Sequence, residues 1–464
     1  MHIRQSTLVL PPGVHGQLHR HLFPGDGLEA AALLLCTVVD GSRLKFIVRD
    51  ILQVPHDACD RQADALTWPG EYVEQAIDLA EASGLAIFAA HSHPGGFFGF
   101  SALDDASDAL LMPALRLGAG VACGSAIMTP DGKIRARTYL RGPAPTPVDF
   151  VMVPGSDITL SFDALSDDTR PARPIAAFTS GMTEVVSKLS ACVIGVSGTG
   201  SVVAEQLARL GFGQIILIDF DRIERRNLNR ILNARLADIG ALKVDVFANA
   251  IRSFRPDCDV RPVAASISTR AAVFKAAEAD LLFSCVDSAE GRFIADRLAA
   301  SLAIPLFDVG VSIPTRVGAD GHRYIAEACG RIDYVFPGGS TLGDRGVYTP
   351  ASLEADYLRR NAPEAYRQKT EEGYIRGVVE EAPAVISLNM RAASACVMEF
   401  IARAFPFRHA PNHAYARTTF LLADGDEERT AEHEFPSTGC SSLARGLQEP
   451  LLGLPALASR ELAA

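Results

Sequence analysis

The nine cysteines of this chain include no C-x-x-C pair, and full pairing would leave one over. That absence points to free, mostly buried thiols in a reducing compartment rather than to a disulfide framework. Long hydrophobic runs are also missing. Residues 30–39, AAALLLCTVV, are mostly apolar but span about half of the ~20 residues a membrane helix needs. Residues 1–20 hold no apolar core followed by a small-residue cleavage site, so no secretory leader is expected. Basic charge is in deficit, 44 Lys and Arg against 55 Asp and Glu, and the net charge of −11 disfavours nucleic acid as the principal partner. No glycine repeat suggests collagen, and 48% hydrophobic with 21% charged residues excludes a wholly disordered chain. A cytoplasmic globular protein, neither in a membrane nor on nucleic acid, is the expectation.

The chain's 464 residues set a soft expectation of two or three domains. A seam rich in Pro and in acidic or polar residues runs from Arg141 to Arg173 through RGPAPTPVD and SDDTRPARP. Before it, apolar runs at 30–39, 44–54 and 85–91 are interleaved with helix-like stretches at 71–84 and 102–118, which reads as a mixed α/β unit. After it, strand-like ACVIGV (191–196), QIILIDF (214–220) and DLLFSCVD (280–287) alternate with helical stretches at 201–211, 243–253 and 291–301. That alternation implies a doubly wound parallel sheet. The expected organisation is a domain over 1–145, a linker over 146–172 and a second domain over 173–464. A crossover segment interrupts the second at about 325–380, and a long helix follows at 386–405. The charge run DGDEER (424–429) reads as a solvated loop.

Two constellations carry chemistry. The first is H-x-H-P-x6-S-x2-D, formed by His91, His93, Ser101 and Asp104. On an extended strand, residues two apart face the same side, so both histidines can grip one ion, with Asp104 reaching it from the start of the next helix. Two His, one carboxylate and water are the ligands of an open catalytic zinc site. A lone H-x-H would read as packed strand histidines; the agreement of Pro94, Ser101 and Asp104 lifts this one above that. The pattern resembles the JAMM (MPN-domain) zinc metalloproteases, which cleave isopeptide or peptide bonds after ubiquitin-like proteins. The resemblance implies that Glu29, just before the run at 30–39, is the general base and that Ser101 hydrogen-bonds the tetrahedral oxyanion. Without it, Glu29 would read as a surface charge at a strand edge, and Asp105 as a charge at a helix N-terminus.

The second constellation begins at Gly195-Val196-Ser197-Gly198-Thr199-Gly200, between a buried strand and a helix. Such a turn alone fits any Rossmann-like site. Asp219 ends the second strand, where a ribose hydroxyl would be bound. The segment DFDRIERRNLNRI (219–231), with Asp221, Asn227 and Arg230, is followed by Lys243 at a helix start and by Asp287 after the third strand. Arg offers a fork of donors to phosphate and Asn a neutral donor, which a triphosphate needs and a dehydrogenase cofactor does not. Together these residues resemble the ubiquitin-activating (E1-like) superfamily, including ThiF- and MoeB-type adenylating enzymes. The resemblance covers roughly residues 173–405. It implies that Gly195, Ser197, Gly198, Gly200, Asp219 and Asp221 bind the nucleotide. Asn227, Arg230 and Lys243 would hold the phosphates of ATP, and Asp287 would position magnesium. A polypeptide C-terminal carboxylate would attack the α-phosphate. Arg170 or Arg173 could be lent by a neighbouring subunit of a homodimer. Ser197 stands where the family usually has glycine, and it is small enough for nucleotide approach.

The resemblance also breaks. Relatives often carry P-G-G-x-C-L-x-C in the crossover segment; here Pro337-Gly338-Gly339-Ser340 leads to Thr341 and Asp344 in the cysteine positions. Cys440-Ser441-Ser442-Leu443 stands where a second pair would be, so a four-cysteine structural zinc is not available. Cys192, Cys285 and Cys396 read as core residues. The acceptor of an activated carboxylate stays open between a partner's nucleophile, the thiols of Cys329 or Cys440, and the hydroxyls of Ser340 or Thr341. The resemblance implies an α/β protein with an N-terminal JAMM (MPN) domain and a C-terminal Rossmann-like adenylation domain, as in bacterial ubiquitin-like conjugation systems often placed in antiviral defence. Zn2+, ATP and Mg2+ would be its cofactors, and a ubiquitin-like modifier with a conjugating-enzyme homologue its partners. Two alternatives stand beside it: activation of a sulfur-carrier protein in cofactor biosynthesis, and a non-catalytic modifier-binding scaffold.

Overall fold

A computed structural model describes residues 5–162 except 120, 121 and 141, residues 180–371, and residues 385–459. The chain divides into two compact units, one built chiefly from Met1–Ala172 and the other chiefly from residues 173–464.

The first unit is organised around a nine-stranded sheet. Its order is Ile158–Ser161, Phe150–Pro154, Ser6–Val9, Leu44–Gln53, Ala31–Asp40, Ala86–Ser92, Cys123–Met128, Ile134–Tyr139 and Thr146–Pro147. The central strands are continuously apolar because both faces are covered. From strand Ala31–Asp40, Leu33 and Leu35 pack with Ala76, Ala80, Met112 and Leu115 of helices Glu71–Ser83 and Ala102–Ala119. Leu34 and Cys36 point to the other side and join Leu18 and Leu22 of helix Pro12–Leu22. Each such leucine contributes about 1.5–3 kcal/mol by leaving water. Helix Glu71–Ser83 is stopped by Gly84 in the left-handed region at φ 63°.

Residues 146–161, expected to begin a linker, instead supply three strands of this sheet. Phe150–Pro154 runs parallel to Ser6–Val9 and antiparallel to Ile158–Ser161. Of the prolines that suggested a linker, Pro143 and Pro145 lie just before a strand and Pro147 ends it, Pro171 and Pro174 lie outside the described residues, and Val148, Phe150 and Met152 are buried. Residues 163–172 of the expected linker lie outside the described residues.

The second unit contains an eight-stranded sheet in the order Asp259–Val263, Gln214–Ile218, Ser190–Ile194, Leu281–Ser284, Leu306–Ser312, Cys329–Val335, Arg417–Leu421 and Asp426–Thr430. The first five are parallel, as the strand–helix alternation predicts. The last three pair antiparallel, so the sheet is mixed rather than purely parallel. Strand Cys329–Val335 comes from the expected crossover segment, and the charge run forms the outermost strand. The exposed acidic and basic side chains of Asp426–Thr430 suit a sheet edge, where charge discourages pairing with another chain. Helix Gly198–Leu210 ends at Gly211 (φ 106°) and is held to helix Ile386–Ala404 by a Gln206–Ser394 hydrogen bond of 2.7 Å. Among the described residues, no helix is long and apolar enough to cross a membrane.

Candidate functional sites

In the first unit, strand pairing builds the histidine site. Ala31 lies opposite His91 in antiparallel register. The ladder continues past the strand, with Ser92 N donating to Ala30 O at 3.0 Å and Ala30 N donating to Ser92 Oγ at 2.9 Å. Glu29 comes next, its N–H turned to the Gln62 carbonyl at 2.8 Å and its side chain close enough to interact electrostatically with His91 and His93. Arg61 fixes the approach to this point by donating from Nε to the Glu29 carbonyl at 2.7 Å. Helix Ala102–Ala119 starts with a reciprocal pair: Ser101 N donates to Asp104 Oδ2 at 2.5 Å, and Asp104 N donates to Ser101 Oγ at 3.1 Å. That pair is a helix cap, and it turns the carboxylate of Asp104 back toward the strand.

The result is one cluster. His91 Nε2 lies 3.0 Å from His93 Nε2 and 3.0 Å from Asp104 Oδ1, and His93 Nε2 lies 3.5 Å from Asp104 Oδ2. The three candidate ligand atoms fall within 4.8 Å of one another. His93 Nδ1 is 2.8 Å from the Phe97 carbonyl, which makes Nδ1 the protonated nitrogen and leaves Nε2 as a lone-pair donor. Two imidazoles and a carboxylate converging on one point fit a zinc ion with a position left open. Burial pushes the Asp104 carboxyl up, but the neighbouring His91 and His93 imidazoles outweigh it and hold it below the usual carboxylate range. Glu29 is 7% exposed, and burial raises its pKa against the opposing pull of His91 and His93. A carboxylate made more basic in this way suits proton transfer.

One supporting feature escaped the sequence reading. Asp108, one turn beyond Asp104, is buried and accepts from Ser125 Oγ, from Arg137 Nε and Nη2 at 2.9 and 2.6 Å, and from Tyr139 OH at 2.7 Å. Asp105 completes this anchor by pairing with Arg137 Nη1 at 2.5 Å. The helix that carries Asp104 is thereby pinned to the sheet.

In the second unit, the strand order reverses between Ser190–Ile194 and Leu281–Ser284, and a crevice at such a switch point is where doubly wound sheets bind ligands. The glycine turn leaves the first of these strands at that point. Gly195 has φ 85°, and a side chain there would meet the Cys285 carbonyl at 2.9 Å. A Cβ on Gly200 would stand 1.8 Å from the Gly195 carbonyl, and one on Gly198 2.3 Å from Asn389 Nδ2. Gly195 and Gly200 are therefore required by the backbone around them, whereas a side chain at Gly198 would have to displace the Asn389 amide. Ser197 precedes helix Gly198–Leu210 and makes no side-chain cap, so its hydroxyl does not close the turn. Asp219 accepts from Val196 N at 2.8 Å through Oδ2 and from Asp221 N at 2.8 Å through Oδ1. Burial raises its pKa against the pull of Lys243. Lys243 Nζ is buried, 2.7 Å from Asp221 Oδ2 and 3.9 Å from Asp219 Oδ2. Asn227 Oδ1 accepts from Glu224 N at 2.9 Å and shapes the turn that follows. Arg230 is brought to the glycine turn, its Cδ 3.5 Å from where a Gly198 Cβ would be. Asp287 is exposed at the end of the third strand of the predicted series and makes no side-chain hydrogen bond or ion pair among the described residues. Arg170 and Arg173 lie outside the described residues.

Residues 171–398 match the model of the ThiF family. This segment is a ThiF-family domain. The ubiquitin-like modifier-activating enzyme 5 of Aedes aegypti is 32% identical over 141 residues, covering 28% of this chain and 35% of that protein. That of Gallus gallus is 25% identical over 225 residues, covering 46% and 53%. The tRNA threonylcarbamoyladenosine dehydratase of Bacillus subtilis (strain 168) is 42% identical over 77 residues, covering 17% and 30%. The chain thus spans about a third to a half of the length of these curated relatives. The structure of E. coli MccB with ATP is 18% identical and covers 56% of this chain and 68% of that one, with a TM-score of 0.42.

Within the ThiF-family domain and the strands that extend its sheet, the candidate acceptors are unequal. Ser340 is fully buried, and its Oγ accepts from Arg345 Nε at 2.9 Å. Thr341 Oγ1 accepts from Asp344 N at 3.0 Å, and Asp344 in turn accepts from Thr438 Oγ1 at 2.7 Å. Asp344 therefore joins this turn of the crossover to the tail. Cys329 is half-buried, and burial together with Glu327 raises its thiol pKa, which disfavours the nucleophilic thiolate. Cys440 is half-buried, whereas Cys192, Cys285 and Cys396 are buried core residues. Asn389 also escaped the sequence reading, because its approach to Gly198 depends on the packing of two helices distant in sequence.

Proposed function

We propose that this chain is a two-headed enzyme of a ubiquitin-like modifier pathway, with an ATP-dependent adenylating head and a zinc-dependent isopeptidase head. Adenylation is carried by the ThiF-family match over a chain segment whose glycine turn opens at the sheet's switch point. The relatives named as ubiquitin-like modifier-activating enzymes favour a modifier as substrate. The tRNA-modifying relative matches only 17% of the chain, and a net charge of −11 weighs against tRNA. In this reading Gly195, Ser197, Gly198, Gly200, Asp219 and Asp221 seat the nucleotide, and Asn227, Arg230 and Lys243 hold its phosphates. Asp287 would hold magnesium. The modifier's terminal carboxylate attacks the α-phosphate and pyrophosphate departs, so the residues act by positioning and by neutralising charge. Direct transfer to a partner's nucleophile, on a conjugating-enzyme homologue, is the acceptor that the buried Ser340 and the deactivated Cys329 favour.

The isopeptidase reading rests on the convergence of His91, His93 and Asp104, with Glu29 close enough to interact electrostatically with both histidines. In it, residues 1–145 act as a JAMM-type domain. Zinc, when bound by these three residues, supplies a Lewis acid that makes water nucleophilic near neutral pH. Glu29 takes the proton from the attacking water and returns it to the departing amine. Ser101, whose oxygen lone pair caps the helix, keeps its hydroxyl proton for the developing oxyanion. The enzyme would work as a homodimer in a bacterial cytoplasm, in antiviral defence.

The test is a pair of assays on the purified full chain. ATP–pyrophosphate exchange should require an added ubiquitin-like protein, and one zinc per chain should accompany cleavage of a modifier fusion. Exchange absent with every modifier offered would leave the scaffold alternative; exchange with a sulfur carrier alone would support the cofactor-biosynthesis alternative.

A further inference from the structure

The ThiF-family unit carries a second cationic feature, on the opposite side of the switch point from Asp219. Asp308 is fully buried in strand Leu306–Ser312. It accepts from Ser284 Oγ at 2.7 Å and from Arg331 Nη2 at 2.5 Å, and lies 3.4 Å from Arg292 Nε. Asp333, opposite Asp308 in register and equally buried, gathers Arg331 Nε at 2.6 Å, Arg345 Nη1 at 3.2 Å and Arg417 Nε at 2.9 Å. Arg345 also pairs with Glu432 at 2.8 Å. Among the described residues, four guanidinium groups set against three carboxylates leave this connected network with one positive charge in excess.

The excess is offered at one place. Gly310 has no side chain, and the point where its Cβ would stand is 3.3 Å from Arg331 Nη2 and 3.5 Å from Arg292 Nη2. Both side chains are partly exposed, 24% and 16%, while Arg292 Nε is buried without a hydrogen-bond partner among the described residues. Each guanidinium has five donors, so both keep N–H groups beyond those facing the aspartates. Strand register locates the feature. Ile194, Ser284 and Asp308 form one row across the sheet, and Gly310 lies beyond Asp308 toward the edge where the glycine turn also emerges. Asp287 and Arg292 flank the start of helix Ala289–Leu302. In the adenylation reading, a nucleotide seated at Asp219 and the glycine turn would lie at the same edge of the sheet as this arginine pair.

We propose that Arg292 and Arg331, poised over Gly310, bind the terminal carboxylate of the polypeptide substrate. This rests on the adenylation reading. One carboxylate oxygen would bond to the α-phosphorus as the bond from that phosphorus to the bridging oxygen of pyrophosphate breaks, and the arginines hold the carboxylate in place for that exchange.

The test uses the full chain saturated with a non-hydrolysable ATP analogue and a dye-labelled hexapeptide ending in Gly-Gly, offered either as the free acid or as the C-terminal amide. The acid should bind at least about tenfold more tightly, because the amide lacks the charge that a guanidinium pair recognises. Arg331→Gln should abolish that preference while leaving affinity for the ATP analogue within about twofold, and Arg331→Lys should restore part of it. Equal affinities of acid and amide for the unmodified protein would overturn the proposal, and that comparison needs no variant to fold. Equal losses of peptide and ATP-analogue affinity in Arg331→Gln would overturn it too, assigning the pair to phosphate. Failure of the unmodified protein to bind the ATP analogue would instead remove the adenylation reading itself.

Discussion

The two candidate sites are built in opposite ways. In the first unit the chemistry is compact: His91, His93 and Asp104 come from one strand end and the helix start that follows it, and their ligand atoms already converge. In the ThiF-family unit the candidate residues extend from Gly195 to Asp287, and they differ in readiness. Lys243 and Asp219 are buried and paired, whereas Asp287 is exposed and unpaired among the described residues. A metal site must present its donors at fixed distances before the ion arrives, so packing sets it in advance. A phosphate site can leave part of its charge in solvent until the nucleotide neutralises it. The comparison predicts that substitutions at the first site act nearly all-or-none, and that those at the second are graded.

The largest effect is expected at Glu29. Glu29→Gln should retain zinc, measured by elemental analysis, yet lose about 10²–10⁴-fold in cleavage of a modifier fusion, the range for removing a positioned general base. His91→Ala should lose both the metal and the cleavage. Cleavage persisting in Glu29→Gln would mean that the compact site uses a different base.

Lys243→Ala comes next. Removing a charge donor aimed at developing negative charge typically costs about 10²–10³-fold, and ATP–pyrophosphate exchange should fall by that order. Because Lys243 also offsets the buried Asp219, its loss should weaken nucleotide binding as well, which titration with a fluorescent ATP analogue would detect. Exchange unchanged in the variant would remove Lys243 from the site.

How far each site was legible in sequence follows from the same contrast. His91, His93 and Asp104 lie within 14 residues of one another, so local spacing on a strand and a helix start was enough to group them. The strand–helix alternation likewise announced a parallel sheet through three of its five parallel strands, Asp259–Val263 and Leu306–Ser312 being the two it did not mark. Contacts set by packing between distant segments left no such signature. Asp108 looks like any acidic residue of an exposed helix until Ser125, Arg137 and Tyr139 arrive from two other strands. Cys329–Val335 reads CGRIDYV, too polar for a core strand, because besides pairing with each other Arg331 and Asp333 are neutralised by Asp308 and Arg417 on other strands. The prolines of the seam were misleading for a simpler reason: the sequence marks a break, and only the sheet shows that the break falls at strand ends.

Asp108 gives a smaller, structural test of the compact site. Its carboxylate neutralises Arg137, which is 7% exposed, so Asp108→Ala leaves a buried cation with only Asp105 beside it. Breaking a buried pair in this way costs about 3–5 kcal/mol. Denaturant unfolding of the variant should show that loss confined to the first unit, with nucleotide binding unaltered. A change below about 1 kcal/mol would mean that Asp105 and Ser125 suffice to hold the helix.

The smallest expected effect is a pH dependence in the ThiF-family unit. Asp296 is 4% exposed, and burial pushes its pKa up to about 6, against hydrogen bonds from Tyr348 OH and from the Leu342 and Gly343 amides and the attraction of Arg345. Among the described residues its Oδ1 is buried without a hydrogen-bond partner, so the ionised form is poorly served. In the unfolded chain the group titrates near 3.9. The folded state therefore holds the proton more tightly, and the stability this provides is complete below about pH 4 and lost as pH rises through about 6. A tenfold difference in proton affinity is worth about 1.4 kcal/mol, so the loss between these limits is on the order of 1–3 kcal/mol. Asp296→Asn carries no titratable group, so the stability of the variant relative to the unmodified protein should rise by that amount between pH 4.5 and 7. Comparing the two proteins at each pH cancels the acid response of every other carboxylate. A relative stability that stays flat across this interval would place the Asp296 pKa in the ordinary range and the carboxylate within reach of water.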